Sequence, residues 1–125
     1  IYSGMWGMTA DMIRNAGKYG EGVRFPSVYD PDATDADWLA FQAAYVAKYG
    51  VEPGFGSVYA YDAVYVAATV LRGLASPDAS SVAAALGKPM RYEGLQTTIP
   101  MDETGDAARG YLTMQVRDGR FEKVP

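Results

Sequence analysis

Glu21 stands between two glycines in the run Gly17-Lys18-Tyr19-Gly20-Glu21-Gly22. Glycines let a ligand approach the backbone closely, and a carboxylate there suits an ammonium group on a small ligand. A plain surface loop accounts for the same residues, and local sequence alone favours it. The run does not read as a phosphate loop. It follows a helical segment and precedes an extended one, whereas phosphate loops follow a strand and open a helix. Gly54-Phe55-Gly56 does open a helix, but it lacks a third glycine and a lysine. Asp102-Glu103-Thr104-Gly105-Asp106 has the composition of a cation loop without the EF-hand spacing, and turn formation explains it better. The chain has no histidine and no cysteine. Imidazole acid–base chemistry, thiol nucleophiles, structural zinc and disulfides are therefore excluded, as is a Ser-His-Asp set. No catalytic residue, metal site or cofactor is expected, and the chain does not read as an enzyme.

The balance of 11 basic and 15 acidic residues gives a net charge of −4, which argues against a nucleic-acid surface. The 125 residues, 49% of them hydrophobic, suffice for a packed core. The start at Ile1-Tyr2-Ser3 reads as strand interior, so a fragment is expected. Thr9 caps a short helix over 10–16 that Gly17 stops. Val23, Phe25 and Val28 suggest an extended segment, with Pro26 marking an edge or a crossover. Thr34 and Asp37 form a variant capping box, opening a helix over 35–49. Trp38, Phe41, Tyr45 and Tyr49 line one face of it, a stripe more often core than cofactor site.

The longest helical stretch is 56–74, apolar nearly all round and therefore expected inside a domain. On it, Val58, Tyr61, Val64, Ala68 and Leu71 share one face. Asp62 is expected near its first turns, stabilised by the helix dipole and capping the helix or bonded to a tyrosine. A structural clamp beside a ligand cleft is the sharper alternative. Ser76-Pro77 signals another helix start, ending at Gly87. Beyond Pro89 the period becomes two: Leu95, Thr97, Ile99 and Met101 alternate, then residues 111–117. Asp118-Gly119 marks a hairpin.

Taken together, Gly20-Glu21-Gly22-Val23, FQAAYVAKYG over 41–50, Val51 to Pro53, YAYDAVYV over 59–66, Tyr92-Glu93-Gly94, MDETGD over 101–106 and VRDGRFEKV over 116–124 give a more specific signal than any one of them. In this order they resemble the C-terminal third of periplasmic solute-binding proteins of the branched-chain amino-acid type, components of ABC importers. The resemblance implies an α/β chain: a partial type I periplasmic-binding fold with three helices, strands and a terminal hairpin. Two lobes in such proteins close on a ligand by hinge motion. Residues 1–27 would end the second lobe, 28–91 would form a helical first-lobe segment, and 92–125 would cross back and end in the hairpin.

The same resemblance implies that Glu21 meets the ammonium of an amino-acid ligand, with Trp6, Tyr59 and Tyr61 as further pocket residues. It implies a periplasmic location, a membrane permease as partner, and a small ligand: a branched-chain or related amino acid, an amide or an aromatic acid. The part of the first lobe that holds the ligand carboxylate would lie outside these residues. Sheet edges left unpaired and the aromatic stripe then lead to an expectation of self-association. A ligand-sensing regulatory domain of the same fold and an oligomerising fragment without a ligand are the alternatives.

Overall fold

The computed structural model describes residues 1–124. Its helices are α1 (Ala10–Ala16), α2 (Ala36–Tyr49), α3 (Phe55–Gly73) and α4 (Ala79–Leu86). Its strands are β1 (Arg24–Ser27), β2 (Met90–Glu93), β3 (Thr98–Met101), β4 (Leu112–Arg117) and β5 (Arg120–Val124). The chain forms two compact units. One comprises Ile1–Phe55 and the segment from Gly110 on; the other comprises Gly56–Arg109. Helix α2 belongs with the first unit. Tyr29 ties it there, packing edge-on to Trp38 of α2 at 5.6 Å and donating its hydroxyl to Pro53 O at 3.0 Å.

The first unit is built on an antiparallel sheet in the order β1-β4-β5. β1 pairs Arg24 with Gln115 and Ser27 with Leu112. On its other side Tyr2 makes a parallel bridge to Arg24, with Arg24 N–H donating to Ile1 O and Ser3 N–H to Arg24 O; β1 is the outermost strand of the sheet order, a place where the missing N–H of Pro26 is tolerated. Period-two burial follows the sequence pattern: Phe25, Met114 and Val116 are buried, and Phe25 meets Phe121 edge-on at 5.5 Å. Asp118 and Gly119, both at positive φ, make the two-residue turn from β4 to β5, as type I′ geometry requires. α1 has the expected bounds, and Thr9 Oγ1 accepts from Met12 N–H at 3.1 Å. α2 is capped by Asp35 instead of Thr34, without a side-chain bond, and ends at Gly50 in the left-handed region. Rings of Trp38, Phe41, Tyr45 and Tyr49 run along it in successive contact. Only Trp38 is fully buried, and Tyr49 is exposed. The Trp38 Nε1–H has no hydrogen-bond partner among the described residues.

The second unit packs α3 and α4 on the β2–β3 hairpin. Val70, Tyr92 and Ile99 form its buried centre, with Val66, Leu74, Val82 and Leu86 packed against them. Two sequence expectations change here. α4 is capped by Asp78, whose carboxylate accepts from Ser81 N–H at 2.9 Å, and not by Ser76. Leu95 and Thr97 lie in the turn between β2 and β3, closed by Gly94 N–H to Thr97 O at 3.1 Å, so the alternation read through them merges a turn with a strand. A third change concerns α3, expected to be interior. It buries one face, Val58, Asp62, Val66 and Val70 at every fourth residue, while Tyr61, Val64, Tyr65 and Leu71 are exposed. Apolar residues all round a helix leave its inward face undetermined; the burial of Asp62 determines it.

Tyr29 supplies a pH test of the first unit. Burial, then the nearby carboxylates of Glu52, Asp32 and Asp30, push its hydroxyl up from 10.0 to about 12. Below pH 10 both folded and unfolded chains keep the proton. Between pH 10 and about 12 only the unfolded chain ionises, so the stability due to this group is lost as pH rises through that window. Tyr29→Phe, which also loses the Pro53 bond, should be about 1 kcal/mol less stable at pH 7. That gap should narrow from pH 10 to 12 in denaturant titrations. Parallel pH profiles for the two proteins would contradict this account.

Candidate functional site

Trp6 lies on a turn of 3-10 helix, Met5–Gly7, just past the segment that pairs in parallel with β1. The turn is fixed by Gly7 N–H to Gly4 O and Met8 N–H to Met5 O, each 2.9 Å. Gly7 faces Phe25 so closely that an added Cβ would stand 3.2 Å from its ring. The indole is 80% exposed, yet its orientation is set: its ring meets Phe55 edge-on at 5.6 Å, and Phe55 is buried. Trp6 is thus an exposed apolar face on a turn that follows the segment bridged to β1.

Glu21 lies toward the amino end of β1, after a second 3-10 turn, Gly17–Gly20. Its exposed carboxylate accepts Asp118 N–H at 3.2 Å, and Gly22 N–H donates to Val116 O at 3.0 Å. Glu21 therefore clasps the β4–β5 turn. The glycines around it serve the backbone: Gly22 is at φ 78°, and buried Gly20 would crowd Ala16 Cβ at 3.1 Å if it carried a Cβ.

Tyr59 and Tyr61 are on α3, in the second unit. The Tyr59 ring lies under the Arg109 guanidinium at 5.5 Å. Tyr61 stacks on Tyr65 at 6.5 Å, on the exposed side of the helix. So Trp6 and Glu21 fall in one unit, and the two tyrosines fall in the other, on different faces of one helix.

The most constrained polar group is Asp62. It lies two turns into α3, not in the first turn, and the bonds that hold it are not those of a cap. One oxygen accepts Leu95 N–H at 2.8 Å; the other pairs with Arg109 Nη2 at 2.6 Å, the side chains being 3% and 8% exposed. A carboxylate so buried is tolerable only when paired and hydrogen-bonded. Gly94 is needed beside it, because a Cβ there would fall 2.5 Å from Thr97 O and 3.1 Å from Asp62 Oδ1. The clamp reading of Asp62 is thus the one the geometry supports. Arg109 was not singled out by sequence. The available signal was the need of a lone Asp in an apolar helix for a cationic partner, but 47 residues separate the two, and nothing local picks one arginine from the rest.

The Asp102–Asp106 loop closes on itself. Asp102 Oδ1 accepts from the Thr104 hydroxyl at 2.7 Å, Thr104 N–H at 2.8 Å and Asp106 N–H at 2.9 Å. The Thr104 hydroxyl, then the Asp106 amide, holds the Asp102 carboxyl below its usual range. Among the described residues there is no group of three or more Asp or Glu arranged to hold a metal ion, and no helix is long and apolar enough to cross a membrane.

The sequence model of a family described as periplasmic binding protein matches residues 2–120. No curated protein matches. A solved leucine-binding protein from Thermotoga maritima is 27% identical, with a TM-score of 0.88 over 100% of this chain and 36% of that one. An ABC transporter substrate-binding protein from Desulfitobacterium hafniense, solved in complex with Leu, is 25% identical, with a TM-score of 0.72 over 86% of this chain and 32% of that one. A solute-binding protein from R. palustris in complex with benzoate shares the fold at 17% identity, with a TM-score of 0.74 over 90% of this chain and 31% of that one. The chain thus spans about a third of the length of each of these structures.

The clasp by Glu21 predicts a local effect. Glu21→Ala should speed hydrogen exchange at the Asp118 amide several-fold, with a smaller change in Glu21→Gln, whose amide oxygen can still accept. Unchanged exchange at Asp118 in Glu21→Ala would remove the clasp.

Proposed function

Since this chain belongs to the periplasmic binding protein family, we propose that it is part of an extracytoplasmic solute-binding component of an ABC importer, capturing a branched-chain or related amino acid, an amide or an aromatic acid. The observation that carries the reading is the match from residue 2 to 120, which runs through every helix and through β4 to the start of β5. Solved relatives with bound ligands carry Leu, isoleucine or benzoate, all small carboxylates with an apolar body. Trp6 has the chemistry for such a body: an exposed aromatic face, held by Phe55 and a fixed turn. A ring oriented before binding loses little freedom on contact. We take Glu21 to serve the hairpin rather than the ligand, a reading supported by the bond of its carboxylate to Asp118 N–H.

Titration of the full receptor that carries this chain tests the reading. With leucine, phenylalanine and benzoate as probes, at least one should bind. Trp6→Ala should then weaken that ligand by about tenfold or more, since truncating a central aromatic contact costs about 2 kcal/mol. Glu21→Gln should change affinity less than about threefold. A tenfold loss in Glu21→Gln for the amino acids alone would restore the ammonium contact that the family resemblance implies. Binding of none of the probes, or equal affinity in Trp6→Ala, would overturn the proposal.

A further inference from the structure

Among the described residues, β2 has a single strand neighbour, β3. The ladder between them fixes which backbone groups of β2 face away. Gly94 N–H donates to Thr97 O at 3.1 Å, so Gly94 is a bonded position, and by the alternation of antiparallel pairing Tyr92 is the next. Arg91 stands opposite Pro100, which has no N–H and whose carbonyl accepts from Ala108 N–H at 2.9 Å, beyond β3. Both observations put Arg91 and Glu93 at the positions between, with their N–H and C=O groups directed to the open edge. The side chains of Arg91 and Glu93 are exposed, whereas Tyr92 between them is buried. The Glu93 carboxylate is steadied on this face by the Thr98 hydroxyl at 3.3 Å.

An open edge is a template for another strand, and the side chains directly opposite decide which strand it accepts. The two outward positions of β2 carry one charge of each sign. Laid antiparallel on a copy of itself about Tyr92, β2 sets Arg91 across from Glu93 of the copy, and Glu93 across from Arg91 of the copy. These are also the positions whose backbone groups face the edge, so the same register makes four N–H···O bonds, two from each pair. Centring the pairing on Arg91 or on Glu93 instead puts like charges opposite each other, which is unfavourable.

We propose that this chain pairs with a second copy of itself through the β2 edges, antiparallel and centred on Tyr92, with Arg91 and Glu93 selecting the register. The charge pattern is self-complementary, as a two-fold interface requires, and this favours a second copy over an unrelated strand. The contact is short, so the dimer dissociates on dilution, as small interfaces do.

Sedimentation equilibrium over a concentration series should show a monomer–dimer equilibrium that salt weakens, because both ion pairs are exposed. Glu93→Arg and Arg91→Glu each replace two attractive pairs by two repulsive ones. Each should weaken the dimer by at least about tenfold, with the circular-dichroism spectrum unchanged. The double variant, Arg91→Glu with Glu93→Arg, restores opposite charges in the same register and should restore the dimer. An equimolar mixture of the two single variants should dimerise likewise, since each carries the sign the other needs. A native chain that stays monomeric at every concentration would overturn the proposal. So would dimers equally stable in the native chain and both single variants, or a double variant as weak as the single ones. If a single variant does not fold, hydrogen exchange on the native chain decides. Slowing at the Arg91 and Glu93 amides as concentration rises, with Tyr92 unchanged, supports the edge contact; exchange at Arg91 and Glu93 independent of concentration overturns it.

Discussion

The buried carboxylate of Asp62 constrains the second unit more than any other single group. Its burial in an otherwise apolar helix is unfavourable by itself, and the Arg109 guanidinium and Leu95 N–H make it tolerable. Those two partners come from separate parts of the sequence, so satisfying the charge brings α3, the β2–β3 turn and the end of the unit to one place. Several neighbouring choices follow from it. Gly94 has no room for a side chain, Tyr59 lies under the cation, and α3 turns its Val58–Val70 face inward, leaving Tyr61 and Val64 exposed.

The first unit is organised differently, by aromatic packing and a sheet with period-two burial. Phe25, Phe121, Tyr29 and Trp38 meet edge-on in pairs, the geometry that ring quadrupoles favour. One consequence bears on function. The same packing that buries Phe55 leaves Trp6 exposed, with its ring edge-on to Phe55. At the amino end of β1, the glycine-rich run around Glu21 meets the hairpin turn.

Local chemistry was legible in the sequence wherever it acts locally. Thr9 and Gly17 bound α1, Gly50 ends α2, and Asp118-Gly119 turns the hairpin, each because its backbone need is met within a few residues. The family and the α/β fold were legible from the order of several weak motifs. What escaped the sequence was set by distant partners. Asp62 was misread as a cap because its partners lie far along the chain, and the inward face of α3 could not be chosen without them. Leu95 and Thr97 alternate as strand residues do, but the Gly94–Thr97 closure makes them a turn. At two helix starts a carboxylate stands at the cap instead of the hydroxyl the sequence suggested: Asp35 at α2 in place of Thr34, and Asp78 at α4 in place of Ser76. Glycines around an acidic residue look alike in sequence whether they admit a ligand or a turn; at Glu21 the structure adds a bond to Asp118 N–H that no local pattern shows.

The most direct measurement is hydrogen exchange at the Leu95 amide. Leu95 lies in a turn, where an amide facing water exchanges quickly, and its N–H has the Asp62 carboxylate as acceptor at 2.8 Å. If that buried carboxylate holds the second unit together, Leu95 should exchange as slowly as the core amides of α3 around Val66 and Val70, opening only with the unit as a whole. Exchange at Leu95 as fast as at the exposed Thr97 beside it, with the α3 amides still protected, would contradict the account.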